Sequence, residues 1–232
     1  MKLHRFSSHN QAGFTIIELL IATTVFAALL LTLMFGVVEI SRIYYRGITQ
    51  TNTQNTARNI MSSISQAIQF DGSFSTGAGN GSSLAFCAGN TQYTYLLGYQ
   101  LENTNSAPNT QNNHVLVSNT ISSPSCPQAQ HIGPPGGSAS GTELMANNMR
   151  IASLNITPLS HSGAYSVEIR IVYGDDDLLC NPSIGPPGLC SSSATMPAPA
   201  DYVGQNVNCK GGSGSEFCDV SDLSTIVQSR VN

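Results

Sequence analysis

The apolar run Phe14–Val38 constrains the fold of this chain more than any other feature. It has 25 residues, and Glu18, at its fifth position, is its only ionisable side chain. A helix of about 20 apolar residues spans a hydrocarbon core about 30 Å thick. A charge costs about 2.5–3.5 kcal/mol at the centre of a bilayer and less near its edge, so an acid inside a span indicates a function. The sequence therefore predicts a membrane helix whose carboxyl group has a role.

The residues around the start of this run form a motif. A short polar leader ends in Gly13, Phe14 follows, and Glu18 lies five positions into the span. This arrangement resembles the class III-type prepilin N-terminus of type IV pilins and type II secretion pseudopilins. The resemblance implies that a prepilin peptidase cuts between Gly13 and Phe14 and that Phe14 becomes an N-methylated terminus. It also implies that Glu18 pairs with the terminal amine of a neighbouring subunit.

Two other interpretations of the run are open. The first is a single-span anchor in which Glu18 is incidental. The second is a secretory signal peptide, whose apolar core should be only about 7–15 residues long and end at small residues. Here the core is longer, and the small residues Ala27 and Ala28 lie in its middle.

Composition favours an exported structural protein. Charged residues make up only 9% of the 232 residues, against about 25% in an average protein. Without Met1–Gly13, the chain has 7 Lys and Arg against 13 Asp and Glu, a balance of −6. A general phosphate-binding surface needs a basic patch, so we expect no nucleic-acid partner.

The six cysteines all lie beyond the span, and none has Cys-x-x-Cys spacing. Zinc or thioredoxin-like chemistry is therefore disfavoured. Disulfides need an oxidising compartment, which places the C-terminal domain outside the cytoplasm of a single-pass membrane protein. Six cysteines allow 15 connectivities, of which we favour the pairs Cys87–Cys126, Cys180–Cys190 and Cys209–Cys218.

The helix is predicted to continue past the membrane. An apolar stripe recurs at spacings of three and four at Ala57, Ile60, Met61, Ile64, Ala67 and Ile68, as in a surface helix packed on a core. We assign residues 1–13 to the leader, 14–38 to the transmembrane helix and 39–70 to an amphipathic half of the same helix. Gly36 and Gly47 are candidate bends, and the polar segment Thr49–Thr56 is a predicted weak point.

Residues 71–232 are predicted to form an extracytoplasmic pilin-like β domain. Long loops rich in Asn, Ser, Pro or Gly separate the predicted strands Ser83–Cys87, Gln92–Leu101, His114–Ser118, Met149–Pro158, Ala164–Tyr173 and Leu223–Arg230. The fold class is therefore α+β: a long N-terminal helix packed on an antiparallel β-sheet with long disulfide-pinned loops.

The residues after the membrane helix make the resemblance more specific. The chain resembles PilW-type minor pilins and the related GspJ-like pseudopilins in three features. These are a helix ending near Ile68, the pair Tyr93 and Tyr95, and the segment Leu144–Met149 before a hairpin. This implies a minor pilin that joins a filament, or its priming or tip complex, through helix–helix packing with other pilins. It would lie in the cytoplasmic membrane first and at the cell surface afterwards. The alternatives are a type II secretion or competence pseudopilin, and a membrane-anchored binding protein whose loops contribute to adhesion.

Other polar clusters were weighed as chemical sites. Asp175, Asp176 and Asp177 are a candidate calcium site, but they lack the spacing of a calcium loop, and a solvated turn is the favoured interpretation. His114, His131 and His161 have no Gly-x-Ser-x-Gly nucleophile elbow elsewhere in the chain, so we expect no enzyme activity and no cofactor. The tyrosines are assigned to packing. Lipid headgroups or acidic neighbours are the expected partners of Arg42, Arg46 and Arg58.

Overall fold

The computed structural model describes residues 13–71, 74–101, 111–112, 114–123, 125–134, 137–160, 163–181, 199–212 and 214–230. The leader before Gly13, His161 and Cys190 lie outside these residues, as do residues 102–110 of a loop that the sequence predicts over Glu102–Asn113. The chain divides into two compact units, residues 1–44 and residues 45–232. Each unit is described separately below.

Helix α1 runs from Ile16 to Asp71 and contributes to both units. The predicted weak point at Thr49–Thr56 is wrong, because helical structure continues through it. Two of its threonines turn their hydroxyls inward: Thr51 donates to the Gly47 carbonyl at 2.7 Å and Thr53 to the Thr49 carbonyl at 2.8 Å. Thr49 and Thr53 are also buried in the C-terminal unit. Tertiary packing here outweighs a weak local propensity.

The described part of the N-terminal unit is the first half of α1. This helix is long and apolar enough to cross a membrane. Thr23, Thr24 and Thr32 lie within the apolar run, and their hydroxyls donate to the carbonyls of Leu20, Ile21 and Leu29. Because these donors are satisfied inside the helix, they suit a hydrocarbon environment.

The C-terminal unit contains two five-stranded sheets, where the sequence predicted one. The first sheet has the order β1-β2-β3-β6-β7 and the second has the order β12-β9-β8-β4-β5. Apart from the parallel pair of β4 and β5, the strand pairs are antiparallel. The α+β class is confirmed. The strands are β1 Phe74–Asn80, β2 Ser83–Ala88, β3 Thr91–Tyr95, β4 Gln100–Leu101, β5 Gln111–Asn112, β6 Leu116–Thr120, β7 Thr142–Glu143, β8 Met149–Pro158, β9 Ala164–Tyr173, β10 Leu179–Cys180, β11 Asn208–Cys209 and β12 Asp219–Gln228.

One predicted strand, Gln92–Leu101, is divided between the two sheets. Its first half is β3 and its last two residues are β4. Between them Gly98 has φ +79°, and a Cβ at this position would overlap the carbonyl oxygen of Pro199. Glycine is therefore required both for the left-handed backbone and for the close approach of the second chain segment.

A β-bulge lets β8 keep its apolar residues on one face. The register shifts between Ile151 and Ser153, so Ala152 is the extra residue. Without the bulge, Ile151 and Leu154 would point to opposite faces, yet both belong to the main core. Ala152 packs instead in a second cluster with Val172 and Tyr202.

The main core joins α1 to both sheets. The predicted apolar stripe of the helix is confirmed, since Ala57, Ile60, Met61, Ile64 and Ile68 are buried and Ala67 packs against them. They meet side chains of the first sheet, such as Phe86 and Tyr93, and of the second, such as Ile151 and Ile169. The second half of α1 thus covers two sheet faces at once.

Two disulfides each join a strand to another part of the C-terminal unit. Cys87 is bonded to Cys126 and Cys209 to Cys218, which are two of the three pairings expected from the sequence. Cys180 is also disulfide-bonded. The described cysteines include no free thiol.

Candidate functional site

The residues after Gly13 build a helix N-terminus with a specific cap. Gly13, Phe14 and Thr15 precede the helix, which begins at Ile16. The backbone N–H of Thr15 donates to Oε2 of Glu18 at 2.9 Å, and the backbone N–H of Glu18 donates to Oγ1 of Thr15 at 3.3 Å. This reciprocal pair is a capping box, with Thr15 as N-cap and Glu18 at the third helical position.

The cap uses only one oxygen of the carboxylate. The Thr15 hydroxyl also donates to Oε2 of Glu18, at 2.9 Å. Across residues 13–71, Oε1 of Glu18 accepts no hydrogen bond. Glu18 therefore stabilises its own helix through Oε2, and its Oε1 is available to pair with a cation.

The bond between Gly13 and Phe14 is open to another protein. Both residues are exposed and non-helical, and 82% of Phe14 is accessible. A Cβ added to Gly13 would meet no atom within 4 Å. A peptidase can reach this bond without first unwinding α1.

The helix after the cap presents apolar side chains on all sides. Its most apolar window has 0% of its residues buried. A helix that is apolar all round is stable only inside a membrane or against other helices. The exposed large apolar residues of the N-terminal unit include Leu19, Leu20, Val25, Phe26, Leu29, Leu33, Phe35, Val37, Ile40 and Ile43.

The comparison with known families agrees with this geometry. A family model described as the prokaryotic N-terminal methylation motif matches residues 8–34. A match to this motif supports a type IV pilin-like protein. The matched segment includes Gly13, Phe14, the capping box and most of the apolar run. Searches of curated proteins and of solved structures return no match.

Sequence reasoning singled out Gly13, Phe14 and Glu18 but missed Thr15. The signal for it was present, since Thr15-x-x-Glu18 before an apolar run is the sequence pattern of a capping box. Glu18 had been assigned to contact with a neighbour alone. The structure shows that it also has a partner within its own chain.

The aspartate run has structural partners. Oδ1 of Asp175 accepts from the Gln100 amide at 3.1 Å, and Oδ1 of Asp176 accepts from the Arg150 guanidinium at 2.7 Å. The backbone carbonyl of Asp177 accepts from the Lys210 ammonium at 2.9 Å. In the described ranges no group of three or more His, Cys, Asp or Glu is placed to hold a metal ion.

His114 lies beside an acid that the sequence did not single out. Its Nδ1 is 3.6 Å from Oε2 of Glu143. The Glu143 carboxylate accepts the backbone N–H groups of Val115, Leu116 and Met145, each at 3.0 Å. The Glu143 carboxylate therefore holds the start of β6 beside the segment that follows β7, which is a structural role.

The sequence assigned the tyrosines to packing, and the arginines of the helix to lipid headgroups or acidic neighbours. Tyr93 stacks on Phe86 with ring centroids 4.9 Å apart, and it is buried. It therefore packs the core, as predicted. Arg46 lies close enough to Asp219, at the start of β12, for the two charges to interact.

Asp219 gives the C-terminal unit a testable pH dependence. Burial raises the pKa of Asp219 above its ordinary value, against the opposing effects of the Val220 N–H, the Thr53 hydroxyl and Arg46. The folded state therefore holds this proton at a pH where the unfolded chain has lost it. Stability must then fall as pH rises from the unfolded pKa through the folded pKa.

We expect Asp219→Asn to gain stability relative to the wild type as pH rises from about 4 to 7, because asparagine does not titrate. Urea unfolding of both proteins at several pH values measures this difference. Glu168→Gln, at an exposed residue of β9, controls for the loss of one negative charge. A difference that stays constant with pH would contradict the prediction.

Proposed function

We propose that this chain is a minor pilin of a type IV pilus. A prepilin peptidase removes the leader after Gly13, Phe14 is N-methylated, and the mature chain joins the filament or its priming or tip complex. The observation that carries the proposal is a carboxylate with one unused oxygen, in the first turn of an exposed apolar helix, directly after an accessible Gly-Phe bond.

The geometry suits pairing between subunits rather than within one. The Glu18 cap is local to Thr15 and does not involve Phe14, so it can persist after the cut. The new amine on Phe14 needs an acid once it is buried among apolar helices, since an unpaired buried charge is costly. Oε1 of a neighbouring Glu18 would supply that acid.

The same contact predicts the stagger between neighbouring helices. Glu18 lies four positions after Phe14, and α1 begins at Ile16, part-way between them. At about 1.5 Å per helical residue and at most about 3.3 Å per extended residue, Phe14 and Glu18 are separated by about 6–10 Å along the axis. Subunits paired in this way are offset by that distance.

The C-terminal unit favours a specialised subunit. Two sheets, disulfide-pinned segments and long connections are more elaborate than a filament subunit needs for packing alone. Loops of this kind usually have a function. We therefore assign the β domain to the cell surface, with a contribution to adhesion, and the other pilins as partners of the apolar helix.

Glu18→Gln tests this function. Glutamine keeps an oxygen for the Thr15 cap but has no charge, so the variant should be cut and should fold normally. We expect its amount in sheared pili to fall about tenfold or more, because a buried amine would lose its partner. Immunoblots of sheared filaments and of membranes measure this distribution.

Glu39→Gln is the matched control, because Glu39 is exposed on the same helix beyond the apolar run. It should enter pili at the wild-type level. Wild-type incorporation of Glu18→Gln would contradict the proposed role of the carboxylate. Failure of the wild-type chain itself to enter any filament would contradict the proposed function.

A further inference from the structure

A polar groove opens in the C-terminal unit beside the end of α1. Its volume is about 450 Å³, within the range of about 300–1,000 Å³ typical of small-molecule sites. The helix forms one wall, and β3, β6 and β7 of the first sheet form the other. The lining residues used below are Gln66, Phe70, Thr91, Ser118 and Thr120.

The groove exists because the face of the first sheet changes composition beneath the helix. On β2 and β3, the rings of Phe86 and Tyr93 fill the space against α1. Further across the sheet, Thr91 pairs with Thr120 and Tyr93 with Ser118, so these four side chains share one face. Tyr93 reaches the helix and forms hydrogen bonds with Ser63, whereas Thr91, Ser118 and Thr120 have short side chains, which leaves an open volume.

The chemistry of the lining is neutral and rich in hydrogen-bonding groups. Among the lining residues that the structure describes, every polar side chain is a hydroxyl or a carboxamide and none is charged. These lining residues offer no countercharge to a phosphate or carboxylate, and the Arg230 guanidinium at the rim lies against the Phe70 ring. A purely apolar ligand would leave the hydroxyl and amide groups without water or partners, which is costly.

Phe70 supplies the one large apolar surface of the groove. Its side chain is 58% exposed, which is unusual for an aromatic residue at the end of a packed helix. The Arg230 guanidinium lies 5.6 Å from the centre of the Phe70 ring, and the Arg230 N–H donates to the Gln69 carbonyl at 3.0 Å. These contacts hold the ring in place at the rim.

We propose that this groove binds a neutral saccharide of one or two rings. A sugar has hydroxyl groups around its edge, which match the amide of Gln66 and the hydroxyls of Thr91 and Thr120. It also has a face of C–H groups, which can stack on Phe70. This binding does not depend on the pilus role, because the groove lies wholly within the C-terminal unit.

The test uses the full-length chain in a detergent without a sugar headgroup, applied to an array of neutral and acidic glycans. We expect binding to neutral glycans. For the best of them, calorimetry should show about tenfold weaker binding with Phe70→Ala and weaker binding with Gln66→Ala. Both residues are exposed, and circular dichroism verifies that each variant is folded.

Phe217→Ala is the matched control, because Phe217 is an exposed aromatic residue, 44% accessible, outside the groove lining. It should bind the same glycan with unchanged affinity. Binding to no glycan, or to acidic glycans alone, would overturn the proposal. Unchanged binding by both groove variants would overturn it as well.

Discussion

Replacing Gly13 by leucine is expected to leave the full-length chain in the membrane. The Gly13–Phe14 bond lies in an exposed, non-helical segment, and a Cβ at Gly13 meets no atom within 4 Å. The fold therefore tolerates leucine at this position. The resemblance to prepilins places the cut at this bond, where a large side chain would block the peptidase. Mass analysis of the N-terminus should find almost no chain that begins at methylated Phe14.

Gly36→Leu is the matched control for this experiment. Gly36 lies in the same apolar run, and a Cβ there also meets no atom within 4 Å. The control adds the same side chain to the same helix, so it tests whether extra bulk or apolarity disturbs insertion. It should be processed normally. A mature N-terminus at Phe14 in Gly13→Leu would contradict the assignment of the cut.

The same variant separates folding from assembly. The capping box joins Thr15 and Glu18 and does not require a free amine, so α1 should form in the uncut chain. The charged terminus, however, would remain 13 residues away from its place at Phe14. We therefore expect Gly13→Leu to fold, to accumulate in the membrane and to be absent from pili.

The helix was predictable from sequence because its signals are local. The apolar run and the stripe from Ala57 to Ile68 gave bounds of Phe14–Phe70, and the structure has Ile16–Asp71. The error at Thr49–Thr56 arose because local propensity cannot register that Thr49 and Thr53 are buried. Strands β8 and β9 were predicted at their observed bounds, since alternating apolar residues mark them clearly.

The division into two sheets was not predictable, since it depends on contacts between distant segments. Gly98 redirects the chain from β3 to β4 against Pro199, about a hundred residues later. Strand β1 was missed because two of its seven residues are glycine and only Phe74 is a large apolar residue. Gly77 is needed there because a Cβ would lie 2.6 Å from the Pro127 carbonyl oxygen and 3.2 Å from the Cys126 sulfur. No pattern within β1 records these neighbours.

Arg150 shows the same limit for single residues. Nothing in the local sequence distinguishes it from other strand arginines, yet its side chain is 0% exposed. Its guanidinium donates to the carbonyls of Gly98 and Gly174 and to the side chains of Gln100 and Asp176. It also lies 4.1 Å from the centre of the Tyr202 ring. These partners come from three separate segments, namely residues 98–100, residues 174–176 and Tyr202.

Arg150→Met is therefore expected to destabilise the C-terminal unit by about 3 kcal/mol. The change removes the Arg150 donor from the Gln100 side-chain oxygen and from the Gly174 carbonyl, which keeps only the 3.4 Å bond from the Gln100 amide. A buried acceptor that loses a hydrogen bond costs about 1–3 kcal/mol. Asp176 is 36% exposed, so water can solvate it, which keeps the estimate at the low end for a broken buried pair. A loss of this size lowers Tm by about 6–12 °C in a chain of this length.

Two further variants separate the network from the charge. Arg58→Met removes an exposed arginine from α1 and should change stability by about 0.5 kcal/mol or less. Arg150→Lys keeps a buried cation but lacks the planar fork that reaches several acceptors, so it should lie between the wild type and Arg150→Met. Thermal unfolding measures all three. If Arg150→Met has the same Tm as Arg58→Met, the guanidinium does not hold the connection between β3 and β4 to the turn at Asp175–Asp177. If Arg150→Lys has the same Tm as the wild type, a positive charge alone is sufficient and the planar shape of the guanidinium has no role.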